Sequence, residues 1–112
     1  MPDTWITNIE HFLDENGDIE PIEGPARKIA EYFTEIISSA TSSGMDGSIK
    51  CRCRRRPDHK RCKGIIETSI DIATHEIVWQ CPVCFDNGKI SNWEFTYWDL
   101  RKKNFQLVKI YL

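Results

Sequence analysis

The sequence has no apolar run that approaches the roughly 18 residues needed to cross a bilayer. Residues 1–9 lack both the basic start and the hydrophobic stretch of a secretory signal peptide. Collagen-like repeats, a Gly-rich phosphate-binding loop and a Ser-His-Asp arrangement are also missing. These absences predict a cytoplasmic protein without membrane contact, without an evident small-molecule substrate and without enzyme activity.

Basic residues are scarce in the first half of the chain. Residues 1–49 contain ten acidic and two basic side chains, a balance of −8, whereas residues 50–112 have a balance of +6. A length of 112 residues suits one domain, and 40% apolar with 29% charged residues is a globular composition. We therefore predict a single domain over residues 1–112, with an acidic helical segment (1–48) and a basic β segment (49–112).

An amphipathic helix is predicted from Pro25 to about Thr41. Apolar residues recur there at three- and four-residue spacing, which gathers them on one stripe. The residues of this stripe are Ala26, Ile29, Ala30, Phe33, Ile37 and Ala40. Pro25 suits the first helical position because its fixed φ is already helical and its missing N–H would have no partner there. The small, polar residues 41–48 are typical of a flexible connector.

Strand-like sequence begins after this connector. Residues 65–72 and 76–80 are rich in β-branched and aromatic side chains, and the short link between them predicts a hairpin. Residues 89–95 and 105–112 supply further strand candidates. The pattern predicts an α+β fold in which the N-terminal amphipathic helix packs on a small antiparallel sheet.

The five cysteines fall into two groups. Cys81 and Cys84 have the C-x-x-C spacing that places two sulfur atoms on one tight turn. The second pair combines Cys62 with either Cys53 or Cys51, and Cys53 is preferred because it directly begins a basic stretch. About twenty residues separate the two groups, which leaves room for one hairpin. This spacing predicts that the basic β segment (49–112) and its small antiparallel sheet are zinc-ribbon-like.

In a cytoplasmic chain such thiols stay reduced, and four reduced cysteines at this spacing predict one bound Zn²⁺. The ion is predicted to be structural, because four sulfur ligands leave no open coordination position for catalysis. Cys51 and His59 are the substitute ligands. Three other interpretations stay open: buried thiols that act as small hydrophobic side chains, a redox pair at Cys81 and Cys84, and a rubredoxin-like iron site. The turn-forming residues after Cys84 disfavour the long helix that a thioredoxin-type pair requires.

Five stretches carry a recognisable pattern of cysteine, tryptophan and basic residues. They are Cys53-Arg54-Arg55-Arg56-Pro57, Cys62-Lys63-Gly64-Ile65-Ile66, Trp79-Gln80-Cys81-Pro82-Val83-Cys84, Asn87-Gly88-Lys89-Ile90-Ser91-Asn92-Trp93-Glu94 and Trp98-Asp99-Leu100. Together they resemble a group of short uncharacterised bacterial proteins with a zinc-ribbon-like Cys pattern. The resemblance extends to Trp5-Ile6-Thr7, His11-Phe12-Leu13 and the helix that begins at Pro25, and it thus covers most of the chain up to about Leu100. It implies a bacterial cytosolic origin and the ligands Cys53, Cys62, Cys81 and Cys84.

Two residues depart from that pattern. Phe85 stands where zinc knuckles commonly have glycine, and Cys51 is an additional thiol. The first departure concerns the shape of the turn around the C-x-x-C pair, and the second concerns the identity of one ligand.

The stretch around the upstream cysteines is strongly basic, because residues 50–63 contain eight Lys or Arg side chains and one acid. Some of these cations can hold the thiolates ionised, and the surplus predicts nucleic-acid binding. The alternative is that the acidic segment folds back over this stretch and neutralises it. The candidate residues are Arg52, Arg54, Arg55, Arg56, Lys60 and Arg61. The alternative function is a module that binds a protein partner through its helix or an exposed aromatic edge. Trp79, Trp93 and Trp98 are predicted to form part of the core by covering the small sheet.

Overall fold

A computed structural model of the protein describes residues 4–20, 23–42, 50–56 and 59–101. Within them the chain forms one long helix, one short 3-10 helix and four strands. In chain order these are β1 (Thr4–Asn8), the 3-10 helix (Ile9–Phe12), α1 (Pro25–Thr41), β2 (Glu67–Ile70), β3 (Ile77–Gln80) and β4 (Asn87–Ser91). The strands form one sheet in the order β1-β4-β3-β2, so the fold is α+β as predicted.

Helix α1 confirms the predicted amphipathic helix and its start at Pro25. Its buried face is wider than the predicted stripe, because Tyr32 and Ile36 also lie inside. Ala26 and Ile29 belong to the predicted stripe but are exposed, since the first turn of the helix lies outside the core. This exposed first turn becomes part of the surface described below.

The sheet is mixed, so the predicted purely antiparallel sheet is wrong. Strands β2, β3 and β4 form an antiparallel meander, and its first two strands confirm the predicted hairpin. Strand β1 adds to the outer side of β4 in parallel, with Trp5 opposite Gly88. The predicted elements do not include β1. Helix α1 and two further strands separate β1 from β4 along the chain, and a connection of that length allows two strands to pair in parallel.

The core lies between helix α1 and the sheet. Trp79 of β3 is fully buried, and its ring lies 5.8 Å from that of Tyr32 in an edge-to-face arrangement. Gly88 of β4 makes room for this indole, because a Cβ there would come within 2.7 Å of the Trp79 ring. Trp93 is also fully buried, and Trp98 packs against the core. The predicted core role of these tryptophans is confirmed.

Two predicted elements lie wholly or mostly outside the described residues: the strand at 105–112 and the connector at 41–48. The acidic and basic segments on either side of the connector share the sheet, since β1 of the first pairs with β4 of the second. In the described part of the chain, no helix combines the length and the apolar character that crossing a membrane requires.

Candidate metal centre

Four cysteine sulfur atoms lie close together where the basic stretch of the chain meets the C-x-x-C pair. The Sγ atoms of Cys53 and Cys84 are 3.6 Å apart, as are those of Cys62 and Cys81, and all four ligand atoms lie within 4.8 Å of one another. A tetrahedral ion with metal–sulfur bonds of about 2.3 Å requires sulfur–sulfur distances of about 3.8 Å. The donor set therefore fits a tetrahedral thiophilic metal ion.

The upstream pair is positioned by the basic loop, which we define as the described residues 51–56 and 59–66. Arg52 and Ile65 form an isolated antiparallel bridge across it. The backbone N–H of Cys53 donates to the Gly64 carbonyl at 3.0 Å, and that of Cys62 donates to the Arg55 carbonyl at 2.8 Å. These cross-links bring Cys53 and Cys62 to the same end of the loop.

The downstream pair is positioned by the cysteine turn, residues 81–86, which connects β3 to β4. The backbone N–H of Cys81 donates to the Asp86 carbonyl at 2.7 Å, and that of Phe85 donates to the Cys81 carbonyl at 2.9 Å. Phe85 has a φ of 65°, in the left-handed region that favours glycine. The departure noted in the sequence is therefore a substitution of side chain only, since Phe85 adopts the conformation that a knuckle glycine would have.

Each of the four cysteines accepts a hydrogen bond from the backbone N–H two residues further along the chain. Gly64 N–H donates to Cys62 Sγ and Val83 N–H donates to Cys81 Sγ, both at 3.4 Å. Cys53 accepts a hydrogen bond from the backbone N–H of Arg55, and Cys84 accepts one from the backbone N–H of Asp86. Such donors stabilise thiolates, which are the forms that bind a metal ion.

The pKa values of the thiols follow from burial and these donors. Burial raises the pKa of Cys53 and of Cys84. Burial also opposes ionisation of Cys81, but the backbone N–H groups of Cys84 and Val83, with neighbouring thiols, lower its pKa below the usual value.

The basic loop and the cysteine turn meet without spare room at Gly64. A Cβ at this position would overlap the Sγ of Cys81 and would lie 3.2 Å from the side chain of Val83. Only a residue without a side chain allows the two pairs of sulfur atoms to approach as closely as they do.

The two substitute ligands lie outside the group. Cys51 is buried, but its Sγ lies 3.9 Å from Glu35 Oε2 of helix α1. Burial and the Glu35 carboxylate raise the pKa of Cys51 to about 12, so it is a thiol held neutral beside a carboxylate. His59 is exposed, and within the described residues neither it nor Cys51 belongs to a close group of metal-binding atoms.

Two of the six candidate nucleic-acid-binding residues are engaged with the protein itself. Arg54 pairs with Glu35 at 3.0 Å, donates to the Lys28 carbonyl at 3.1 Å and lies 5.4 Å above the ring of Tyr32. Arg55 pairs with Asp86 at 3.5 Å. Both arginines therefore contribute to the packing of the basic loop against helix α1 and the cysteine turn.

The other four candidates are exposed cations. Arg52, Arg56, Lys60 and Arg61 form no ion pair with any residue in 4–20, 23–42, 50–56 or 59–101. Arg56 and Arg61 line a cavity of about 600 Å³ together with Lys28. Lys28 is missing from the predicted site because it lies on the solvent side of a helix far away in sequence. Only tertiary packing brings it to the loop.

Comparisons with protein-family models, with curated proteins and with solved structures find no match for this chain. The resemblance to bacterial proteins with a zinc-ribbon-like cysteine pattern thus stays a prediction. Function is inferred below from the cysteine group and from the charged surface beside it.

Proposed function

We propose that this protein is a non-enzymatic, zinc-stabilised module that binds nucleic acid through its basic loop. The observation that carries the proposal is a group of four cysteine sulfur atoms at tetrahedral spacing, two of which belong to a loop whose exposed cations Arg52, Arg56, Lys60 and Arg61 form no ion pair among the described residues. The ligands are Cys53, Cys62, Cys81 and Cys84, and the ion is one Zn²⁺. We further propose a cytoplasmic location, where thiols remain reduced, and kinship with the bacterial proteins that the sequence resembles.

The metal is structural because four thiolates fill a tetrahedral coordination sphere and leave no position for water or substrate. It links two parts of the chain, the basic loop and the cysteine turn, that are each too short to persist alone. The backbone N–H groups directed at the sulfur atoms offset part of the negative charge that four thiolates bring to the ion.

The exposed cations of the basic loop favour nucleic-acid binding over neutralisation of this loop by the acidic segment. Within the described parts of the chain, Glu35 is the one residue of the acidic segment that forms an ion pair with the basic loop, through Arg54. Arg52, Arg56, Lys60 and Arg61 remain available for phosphates, and each phosphate contact adds affinity that falls with salt.

The metal assignment is tested by elemental analysis of the purified protein and of two single variants. Cys53→Ser is expected to lose the ion and Cys51→Ser to retain it, because only Cys53 belongs to the sulfur group. A colourless protein with one equivalent of zinc supports the proposal. A red protein with iron absorption in the visible range supports the rubredoxin-like alternative instead. A well-folded protein free of metal contradicts both.

The binding assignment is tested by titrating the zinc-loaded protein with single- and double-stranded oligonucleotides at several salt concentrations. The double variant Arg56→Ala with Arg61→Ala is expected to bind more weakly. Its slope of log K against log salt should be smaller by roughly 0.7 to 0.9 for each phosphate that the variant no longer neutralises. Lys89→Ala, which removes an exposed cation of β4, is the matched control. Absence of binding even at low salt contradicts the proposal.

The sheet edge favours a second candidate, a module that binds another protein. Strand β1 lies at the edge of the sheet, and its side chains Trp5 and Ile6 are 47% and 74% exposed. An exposed apolar edge strand can pair with an extended peptide. This candidate gains support if oligonucleotides fail to bind at low salt while the zinc-loaded protein stays folded.

A further inference from the structure

Two adjoining grooves run across the surface where helix α1 meets the basic loop. One, of about 600 Å³, is the phosphate groove, whose charged lining residues are all cations: Lys28, Arg54, Arg56 and Arg61. The other, of about 640 Å³, is the aromatic groove. Its lining includes Trp5, Ile6 and Phe33. Both grooves share Ile29, Tyr32 and Arg54, so they form one continuous surface.

Arg54 is held rigidly at the junction of the two grooves. Its guanidinium pairs with Glu35, donates to the Lys28 carbonyl and lies over the ring of Tyr32. These three contacts fix its position before any ligand arrives and join helix α1 to the basic loop, so the cations free of ion pairs among the described residues, Arg56 and Arg61, lie beside a fixed junction.

Trp5 is the large aromatic side chain of the aromatic groove that is open to solvent. Its indole is 47% exposed, and it contacts Phe33 in an edge-to-face arrangement with ring centroids 6.1 Å apart. Pairing with Gly88 fixes the backbone beneath it. By contrast, Trp79 and Trp93 are fully buried and offer no surface to a ligand.

We infer that these grooves bind a single-stranded nucleic acid, with its phosphates in the phosphate groove and a base stacked on Trp5. The inference rests on the proposed function and deepens it. Cations beside an exposed aromatic ring match a strand with unpaired bases, because the base faces of a duplex are hidden inside the stack. Two of the residues involved, Lys28 and Trp5, lie in the acidic segment, so the binding surface is assembled from both halves of the sequence.

The test uses the zinc-loaded full chain with a labelled single-stranded DNA, an RNA of the same sequence and the corresponding duplex. We expect Trp5→Leu to weaken single-strand binding by about tenfold or more without changing its salt slope. Lys28→Ala should reduce that slope by about 0.7. Phe95→Leu is the matched control, because Phe95 is 73% exposed and lines a separate cavity. The DNA and RNA arms show whether the sugar matters.

A second measurement does not depend on the folding of a variant. A single strand that carries bromouracil is cross-linked to the native protein by light, and the modified peptide is identified by mass spectrometry. A cross-link in the tryptic peptide that ends at Arg27, which contains Trp5, supports the inference.

The outcomes separate this inference from the proposed function. If Trp5→Leu binds like the native protein, or the duplex competes as well as the single strand, or the cross-link lies elsewhere, stacking on Trp5 is overturned. Loss of binding in Arg56→Ala with Arg61→Ala would still support the proposed function in that case. If no oligonucleotide binds at low salt, both are overturned.

Discussion

The turn of residues 71–76, between β2 and β3, and the cysteine turn, between β3 and β4, share one backbone path. We call the first the aspartate turn. Asp71 N–H donates to the Glu76 carbonyl at 2.9 Å and His75 N–H donates to the Asp71 carbonyl at 2.7 Å, as the corresponding groups do in the cysteine turn. His75 has a φ of 62°, and Phe85 at the equivalent position has a φ of 65°.

The hydrogen-bond acceptors at the first and fourth positions of the two turns differ, since oxygen atoms in the aspartate turn stand where sulfur atoms stand in the cysteine turn. Asp71 Oδ1 accepts the N–H of Ala73 at 2.8 Å, just as Cys81 Sγ accepts that of Val83. Thr74 Oγ1 accepts the N–H of Glu76 at 3.3 Å. The aspartate turn therefore closes by its own hydrogen bonds. The shape of the turn does not require a metal, and the proposed metal ion would contribute by connecting the cysteine turn to the basic loop.

The largest expected loss of unfolding free energy follows from removing the proposed metal ion from the cysteine turn. Replacing Cys81 by Asp and Cys84 by Thr gives the cysteine turn the side chains of the aspartate turn, which keep the local hydrogen bonds. The double variant should lose zinc and several kcal/mol of unfolding free energy, because the binding energy of a structural zinc is folding energy. Urea unfolding with zinc analysis measures both.

Two comparisons interpret that experiment. A chelator added to the native protein should lower the unfolding free energy by a similar amount. The converse variant, Asp71→Cys with Thr74→Cys, should gain little zinc affinity, because the structure brings no second cysteine pair to that turn among the described residues. A double variant in the cysteine turn that retains full stability without zinc would show that the metal is dispensable.

A methyl group at Gly64 is expected to disturb the junction between the basic loop and the cysteine turn. In Gly64→Ala the new Cβ overlaps Cys81 Sγ, so one pair of sulfur atoms must move away from the other. We expect a loss of about 1–3 kcal/mol, typical of overpacking, together with weaker zinc retention against a chelator. The neighbouring exposed residue provides the control, Lys63→Ala, which should change neither quantity. Unaltered zinc retention in Gly64→Ala would mean that the sulfur atoms are less closely confined.

The comparison of the two turns also shows what local sequence can predict. The helix, the β2–β3 hairpin and the grouping of cysteines follow from spacing, since period 3.6, period 2 and C-x-x-C are local patterns. Strand β1 does not follow, because its partner lies about eighty residues away and nothing local specifies parallel pairing. The likeness of the aspartate turn to the cysteine turn is invisible as a sequence repeat because it lies in backbone hydrogen bonds and not in residue identity.

The residues of the candidate site could likewise be predicted from local sequence only in part. Periodicity leaves Cys51 and Cys53 on the same face of an extended strand, and only the packing of Cys51 against Glu35 separates them. The basic loop is visible in the sequence, but the engagement of Arg54 with helix α1 is not. Contacts between distant segments decide which cations remain available, and such contacts leave no local pattern.

Loss of the side-chain acceptor in the aspartate turn should have a smaller effect than loss of a cysteine ligand. In Asp71→Ala the backbone N–H groups of Ala73 and Thr74 lose their acceptor, but both are exposed and can bind water. We expect a loss of about 1 kcal/mol in urea unfolding, the usual net value of such hydrogen bonds. Zinc content should be unchanged, and Asp71→Asn, which keeps an acceptor oxygen, should recover most of the loss. Loss of zinc in Asp71→Ala would contradict the independence of the two turns.

The smallest predicted effect is a gain in stability at the left-handed residue of the cysteine turn. Phe85 is 64% exposed, and its positive φ costs roughly 1–2 kcal/mol, whereas glycine adopts this conformation freely. The greater flexibility of glycine in the unfolded chain offsets about half of this, so Phe85→Gly should stabilise the zinc-loaded protein by about 0.5–1 kcal/mol. Phe85→Ala removes the same ring but keeps the strain, and it should therefore give no gain. Equal stabilisation by both variants would assign the effect to the ring and not to the backbone. His75→Gly, at the equivalent position, should gain less, because it also removes the interaction of His75 with Glu94 at 3.6 Å.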